Sequence, residues 1–225
     1  MMPRHGEGAC RFWGFVGDIV SDLSKKISPY KASLTREQFL FYEMRTTARL
    51  MAAGLSDSEI MARITRENLF QCPTERSIRS HVRTCLHRLK AMNDAALVGA
   101  VCEQPSEFAK QICLYAMMKQ HRLVWDFMTT VIGEKFRTRD YAYGRLDLNV
   151  FMIRLQEQDD CVAAWSDKTV MKIKQVLNKN LVENGYLDSC RADHLNPVMI
   201  HAMLERSIRC NHDEAVLPAF NCFDG

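Results

Sequence analysis

Apolar residues in this chain return at steps of three and four almost from end to end. Nowhere do they alternate with polar ones over a run long enough to argue for a sheet. That periodicity dictates an all-α fold, and the punctuation divides it into helices. Thr35 with Gln38 reads as a capping box opening a helix through Leu50, stopped by Gly54 as a left-handed cap. Ser56 caps the next, DSEIMARITREN, with Ile60, Met61 and Ile64 as its buried side. Pro73 in LFQCP breaks the chain. Thr74 caps a third helix, on which Ile78, Val82, Cys85, Leu89 and Met92 follow a 4-3-4-3 spacing. A loop near residues 104–106 leads to EFAKQICLYAMMKQHRLVWDFMTTVIGEKF, a long helix or pair of helices. It is apolar on several sides and therefore expected at the centre of the fold.

After Arg137 the chain is polar and turn-rich through Gly144. Asp147 then reads as the cap of LNVFMIRLQEQ, a short break follows at 161–166, and DKTVMKIKQVLNKNLVENG forms a helix closing at Gly185. Tyr186 and Leu187 suit a short strand or minor wing. Asn196-Pro197 is an N-cap and first-turn pair for a last helix to about Ile208. The expected organisation is an N-terminal extension, 1–29, an N-terminal helical subdomain, 30–103, and a C-terminal helical subdomain, 104–225.

With 47% apolar and 25% charged residues the chain has the balance of a soluble globular protein. The start, CRFWGFVGDIVSDLSKKIS, is interrupted by Asp18 and Asp22 and falls short of the roughly 20 apolar residues of a spanning helix. Residues 12–27 instead carry Phe12, Phe15, Val16, Ile19, Val20, Leu23 and Ile27 at helical spacing, an amphipathic stretch suited to packing on the body or a partner. Nine cysteines without a CxxC pair or a signal peptide read as reduced, mostly buried thiols of a cytoplasmic protein. His81 and Cys85 lie one turn apart, but no second ligand pair completes a metal site. No Ser-His-Asp or Cys-His spacing and no Gly-rich phosphate loop is present. The chain is expected to be non-enzymatic and to need no cofactor.

Charge is unevenly placed. Residues 1–100 hold 15 Lys/Arg against 10 Asp/Glu, whereas 101–225 hold 15 against 17. Within CPTERSIRSHVRTCLHRLKAM, Arg76, Arg79, Arg83, Arg88 and Lys90 face a single acid, Glu75. Such a face is either ordinary solvated surface or a surface shaped for phosphate. Arg76, Arg79 and Arg83 recur beside the apolar stripe at three- and four-residue steps, with Ser80 among them as a further phosphate donor. A second basic helix carries Lys168, Lys172, Lys174 and Lys179, with Thr169 in its first turn and no acid between 168 and 182. Lysines lack the forked geometry of arginine, so this unit reads as backbone-binding. Short helix, turn, basic helix is the order a helix-turn-helix requires. GLSDSEIMARI followed by TERSIRSHVRTCLHRL resembles that motif in bacterial response regulators, with a longer connection.

Taken together, YKASLTREQFLFYEMRTTARLMAAGLSDSEI, ENLFQ, SIRSHVRTCLHRLKAM, LYAMMKQHRLVWDFMTTVIGEKF and WSDKTVMKIKQVLNKNLVENGYL resemble the BrxA family, a small component of BREX bacteriophage-exclusion systems. The resemblance runs from about Tyr30 to the C-terminus and leaves residues 1–29 outside it. It implies an all-helical, two-part protein that binds double-stranded DNA and works beside larger methyltransferase and ATPase components. The family's fold is also likened to an RNA-binding antitermination factor. The family is often labelled an inner-membrane protein; the hydropathy here argues against membrane insertion. Its matching basic positions are Arg76, Arg79, Arg83, Lys168, Lys172 and Lys174, and it brings no catalytic residues. The expected function is a DNA-binding subunit gripping mainly the phosphate backbone. The alternatives are a helical adaptor docking other defence proteins, and an RNA binder.

Overall fold

A computed structural model describes residues 28–223, so the expected amphipathic stretch 12–27 lies outside the described residues. A 3-10 turn, Ala32–Thr35, precedes four helices: α1 Phe41–Ala52, α2 Asp57–Glu67, α3 Glu75–Ala91 and α4 Ala95–Glu103. α5, Ser106–Gln120, is followed by α6, Arg122–Phe127, which continues through a π-helical turn, Met128–Gly133, into α7, Glu134–Thr138. Then come α8 Arg145–Gln158, the four-residue α9 Asp160–Ala163, α10 Asp167–Glu183, α11 Ala202–Cys210 and a closing 3-10 helix, Glu214–Phe220. The described chain contains no strand, only a single antiparallel bridge between Ala142 and His194. No helix among the described residues is long and apolar enough to cross a membrane.

Several helix starts follow the sequence. Ser56 and Glu59 form a full capping box: the Ser56 hydroxyl accepts from the Glu59 N–H and the Glu59 carboxylate accepts from the Ser56 N–H at 2.7 Å. Thr74 and Ser166 accept from Ser77 and Thr169 backbone N–H groups at 3.2 and 3.3 Å. Gly54 and Gly185 take the left-handed conformation that ends α1 and α10.

Other starts differ. Thr35 spends its hydroxyl on the Ala32 carbonyl, so the chain stays in a 3-10 turn and α1 begins only after Leu40, itself left-handed. Asp94, rather than the loop at 104–106, first interrupts the chain after the basic helix, accepting from Ala96 and Leu97 N–H groups to open α4. α8 starts at Gly144, with Asp147 supplying the returning half of the box at 2.7 Å. His201 caps α11 in place of Asn196, because 196–200 form no helix and Asn196 Nδ2 donates instead to Asp188 at 2.8 Å. Tyr186 and Leu187 form no wing strand; both are buried, and the Tyr186 hydroxyl donates to the Ala219 carbonyl at 2.9 Å.

Two apolar clusters hold these helices. The larger runs from Leu34 to Phe220 and centres on α5, whose Phe108, Ala109 and continuous 112–118 are all buried. A side chain buried on every face is what a helix without a polar stripe requires. The smaller joins Leu50 of α1, Ile60 and Ile64 of α2, Phe70 of the connection, and Ile78, Val82 and Leu86 of α3. At about 1.5–3 kcal/mol per fully buried aliphatic or Phe side chain, this cluster is the main apolar tie of α3 to α2, α1 and the connection.

Candidate nucleic-acid interface

α3 meets its surroundings on most of its circumference. Ile78, Val82 and Leu86 face the small core, while Cys85, Leu89 and Met92 face the large one. At 3.6 residues per turn the remaining arc, about 100° wide, carries Arg79, Lys90, Arg83, Arg76, His87 and Ser80, every one of them exposed. Along that arc Arg76, Ser80, Arg83, His87 and Lys90 advance by 4-3-4-3, the same rhythm as the apolar stripe behind them. His87 is a member that a count of Lys and Arg leaves out, although its position one turn after Arg83 places it on the row.

Neutralisation within the row is partial. Glu75 Oε1 accepts an ion pair from Arg79 at 2.6 Å, with both side chains more than half exposed, and Asp57 of α2 takes Lys90. Exposed pairs of this kind hold their partners by only about 0.2–1 kcal/mol. Arg76 and Arg83 have no carboxylate partner among the described residues, so the row is positive at its start and its middle without an internal counter-ion.

Arg88 does not belong to this surface. It is fully buried, and its guanidinium donates to the carbonyls of Glu37, Gln38 and Phe39 and to Gln120 Oε1. Position 88 falls three residues after Cys85 and four before Met92, on the apolar side of the helix. Three of its four hydrogen bonds satisfy a turn of backbone that forms no helix of its own.

α10 sorts its candidates in the same way. Lys168, Lys172 and Lys179 lie with Gln175 in one exposed row, and Lys179 reaches Glu183 at 3.5 Å. Lys174 points about 130° round the helix from that row, half-buried, and donates to Asn149 of α8 at 2.8 Å. Thr169 is also half-buried, its hydroxyl shared with the cap at Ser166. Lys179 looks into a cleft of about 480 Å³ whose walls include Arg36, Tyr42, Glu43 and His81. His81 sits about 160° round α3 from Arg83, so the two cationic rows face different ways. They do not merge into one surface.

The His81–Cys85 pairing considered for a metal is not formed. Cys85 is fully buried, its thiol pushed up to about 12 by burial, whereas His81 Nδ1 lies 3.5 Å from Cys72 Sγ. Among the described residues no group of three or more His, Cys, Asp or Glu side chains is placed to hold a metal ion. The cysteines are also less buried than expected. Cys85 and Cys113 are inside, but Cys161, Cys190 and Cys210 are exposed, each at a helix end or in a loop, and none of the eight described forms a disulfide.

The fold and the site thus define an all-helical protein presenting a short cationic row on a helix braced by its predecessor. The chain belongs to the BrxA family of BREX phage-defence systems: the family model, described as BrxA, matches residues 28–212. The BREX protein BrxA of Bacillus cereus (strain H3081.97) is 35% identical over 158 residues, 70% of this chain and 78% of that one. The BREX protein BrxA of Paramagnetospirillum magneticum (strain ATCC 700264 / AMB-1) is 23% identical, covering 84% and 94%. A crystal structure of an uncharacterized protein from Magnetospirillum magneticum shares the fold, with a TM-score of 0.74 over 86% of this chain and 98% of that one at 23% identity.

Proposed function

We propose that this BrxA-family chain is a non-enzymatic subunit that binds double-stranded DNA in the cytoplasm, through the exposed face of α3. The observation that supports this most is the row Arg76–Ser80–Arg83–His87, held outward by a helix clamped on its other sides. Its two arginines have no counter-ion among the described residues. α2, the connection 68–74 and α3 then act as a helix-turn-helix-like unit, the first helix bracing the second against the duplex. Four positions spaced over about 16 Å of helix match a phosphate track better than a single base step. The row therefore grips backbone with little sequence preference. The lysines of α10 form a separate cationic face, suited to a second contact with the same long duplex or to another BREX component such as the methyltransferase or ATPase.

Fluorescence anisotropy with a 30-bp duplex, a hairpin RNA and single strands side by side tests this reading. Duplex should bind most tightly. With about six phosphates neutralised, its affinity should fall roughly a thousandfold between 50 and 200 mM salt. Preference for RNA loops, or no duplex binding at low salt, would overturn it.

A further inference from the structure

α8 is apolar on two sides. Leu148, Phe151, Met152 and Leu155 are buried against the main core, but Leu146, Val150 and Ile153 point outward at 73%, 37% and 52% exposure. Their i, i+4, i+7 spacing places all three within an arc of about 60°. Such an aliphatic stripe on an outer face is a surface that an apolar segment can cover. Leu146 and Val150 line a groove of about 620 Å³ with Val131, Phe151 and Leu155.

The chain itself arrives at this groove. Tyr30 is part of its wall, donating its hydroxyl to Asp126 Oδ2 at 2.8 Å, while Arg122 holds the same carboxylate at 2.9 Å. Immediately upstream lie residues 12–27, with Phe12, Phe15, Val16, Ile19 and Leu23 at helical spacing. Sixteen residues cover about 24 Å at a helical rise, against about 21 Å for the fourteen of α8. Groove and segment are each balanced in charge, with Glu134 also in the lining and Lys25 and Lys26 closing the segment, so the match is local to one cation. Of the cations lining the groove, Arg122 and Lys135 are paired with Asp126, Asp140 and Asp147, which leaves Arg154 without a carboxylate among the described residues. Asp18 and Asp22, one helical turn apart, flank the upstream apolar stripe.

The geometry points to residues 12–27 of the same chain as the occupant of the α8 groove, laid along Leu146 and Val150 with Asp18 or Asp22 against Arg154. The proposed occupant lies outside residues 28–212, which the family model matches.

Hydrogen–deuterium exchange on the full chain tests it. Amides of residues 15–23 should exchange about tenfold more slowly in the wild type than in Leu146→Asp/Val150→Asp, as a ten-to-one docking equilibrium requires. Protection of α5 should stay unchanged, since both substituted side chains are exposed. Equal, fast exchange of 15–23 in both proteins overturns the assignment. So does protection that appears only with concentration and tracks a dimer in sedimentation, which would make a second copy the occupant. The reciprocal variant, Phe15→Asp/Ile19→Asp, leaves the described helices untouched and should raise bis-ANS fluorescence several-fold by uncovering the groove; an unchanged signal also overturns it.

Discussion

The guanidinium of Arg88 donates to the backbone carbonyl of Gln38 at 2.8 Å, tying the middle of the fold to a turn fifty residues upstream. One residue on either side, Glu37 and Phe39 give their carbonyls to the same group at 2.7 and 3.0 Å. Residues 36–40 enter α1 through a left-handed Leu40 and have no helix to satisfy them, so a buried charge with five donors replaces a cap. Two kinds of arginine therefore share α3: a buried one that assembles the fold, and exposed ones free to meet a polyanion.

Those two kinds predict opposite phenotypes. Arg88→Ala strands three carbonyls and leaves a cavity, and should cost about 3–5 kcal/mol in urea denaturation. Arg88→Lys should recover little of this, because one ammonium cannot span three successive carbonyls and Gln120. Arg76→Ala and Arg83→Ala, on the solvent side, should stay within about 0.5 kcal/mol of wild type.

A pH dependence follows from the neighbouring pair. His121 Nε2 lies 3.1 Å from Glu37 Oε2, in a site where burial holds the imidazole below its ordinary pKa despite the carboxylate. The neighbouring imidazole is the largest influence holding the Glu37 carboxyl below its usual 4.5, although Nε2 has no aligned hydrogen-bond partner. Both folded values are depressed, so the unfolded chain binds more protons on acidification. The imidazole's contribution is complete above its unfolded pKa near 6.5 and is lost as pH falls through its lower folded value. That of Glu37 is complete above 4.5 and lost further down. Stability by denaturant titration should thus decline on going below 6.5, and His121→Gln should flatten the first part of the decline.

Where local chemistry decides an element, the sequence was readable. Ser56, Thr74 and Ser166 cap α2, α3 and α10 because each side-chain oxygen needs only its own next turn. Thr35 and Asn196 offered the same signature and failed for tertiary reasons. The chain after Thr35 is held open by Arg88, and Asn196 is drawn to Asp188 and the Tyr186 carbonyl. Within the candidate interface, residue type suggested five cations on the basic helix and helical phase removes one. Arg88 sits on the apolar side, as does Lys174 on its own helix, four residues after Val170 and three before Leu177. Composition reports charge; only phase reports direction.

The C-terminal segment, whose composition alone is uninformative, closes the main core. Val216, Leu217, Ala219 and Phe220 are buried, and Asp213 anchors the approach by accepting from Tyr115 Oη at 2.5 Å and Lys119 Nζ at 2.6 Å. Phe220→Ala should destabilise by about 3–5 kcal/mol. Phe223→Ala, at a position 43% exposed, should change stability by no more than about 0.5 kcal/mol, which separates core loss from general loss of the tail.

The cationic row makes the last prediction, and salt is its readout. If Arg76 and Arg83 each sit on a phosphate, the double variant Arg76→Ala/Arg83→Ala should lower the slope of log affinity against log salt by about two. The loss should be uniform across duplex sequences, because phosphate contacts carry no base information. Arg79→Ala should weaken binding less, since Glu75 already competes for that guanidinium at 2.6 Å. Loss confined to one sequence would mark the arginines as base readers, for which forked contacts to guanine are worth about 1–3 kcal/mol of discrimination. An unchanged salt slope would remove α3 from the interface altogether, leaving the lysine row of α10 as the surface to be mutated next. Anisotropy titrations of the three variants at four salt concentrations distinguish these outcomes in one experiment.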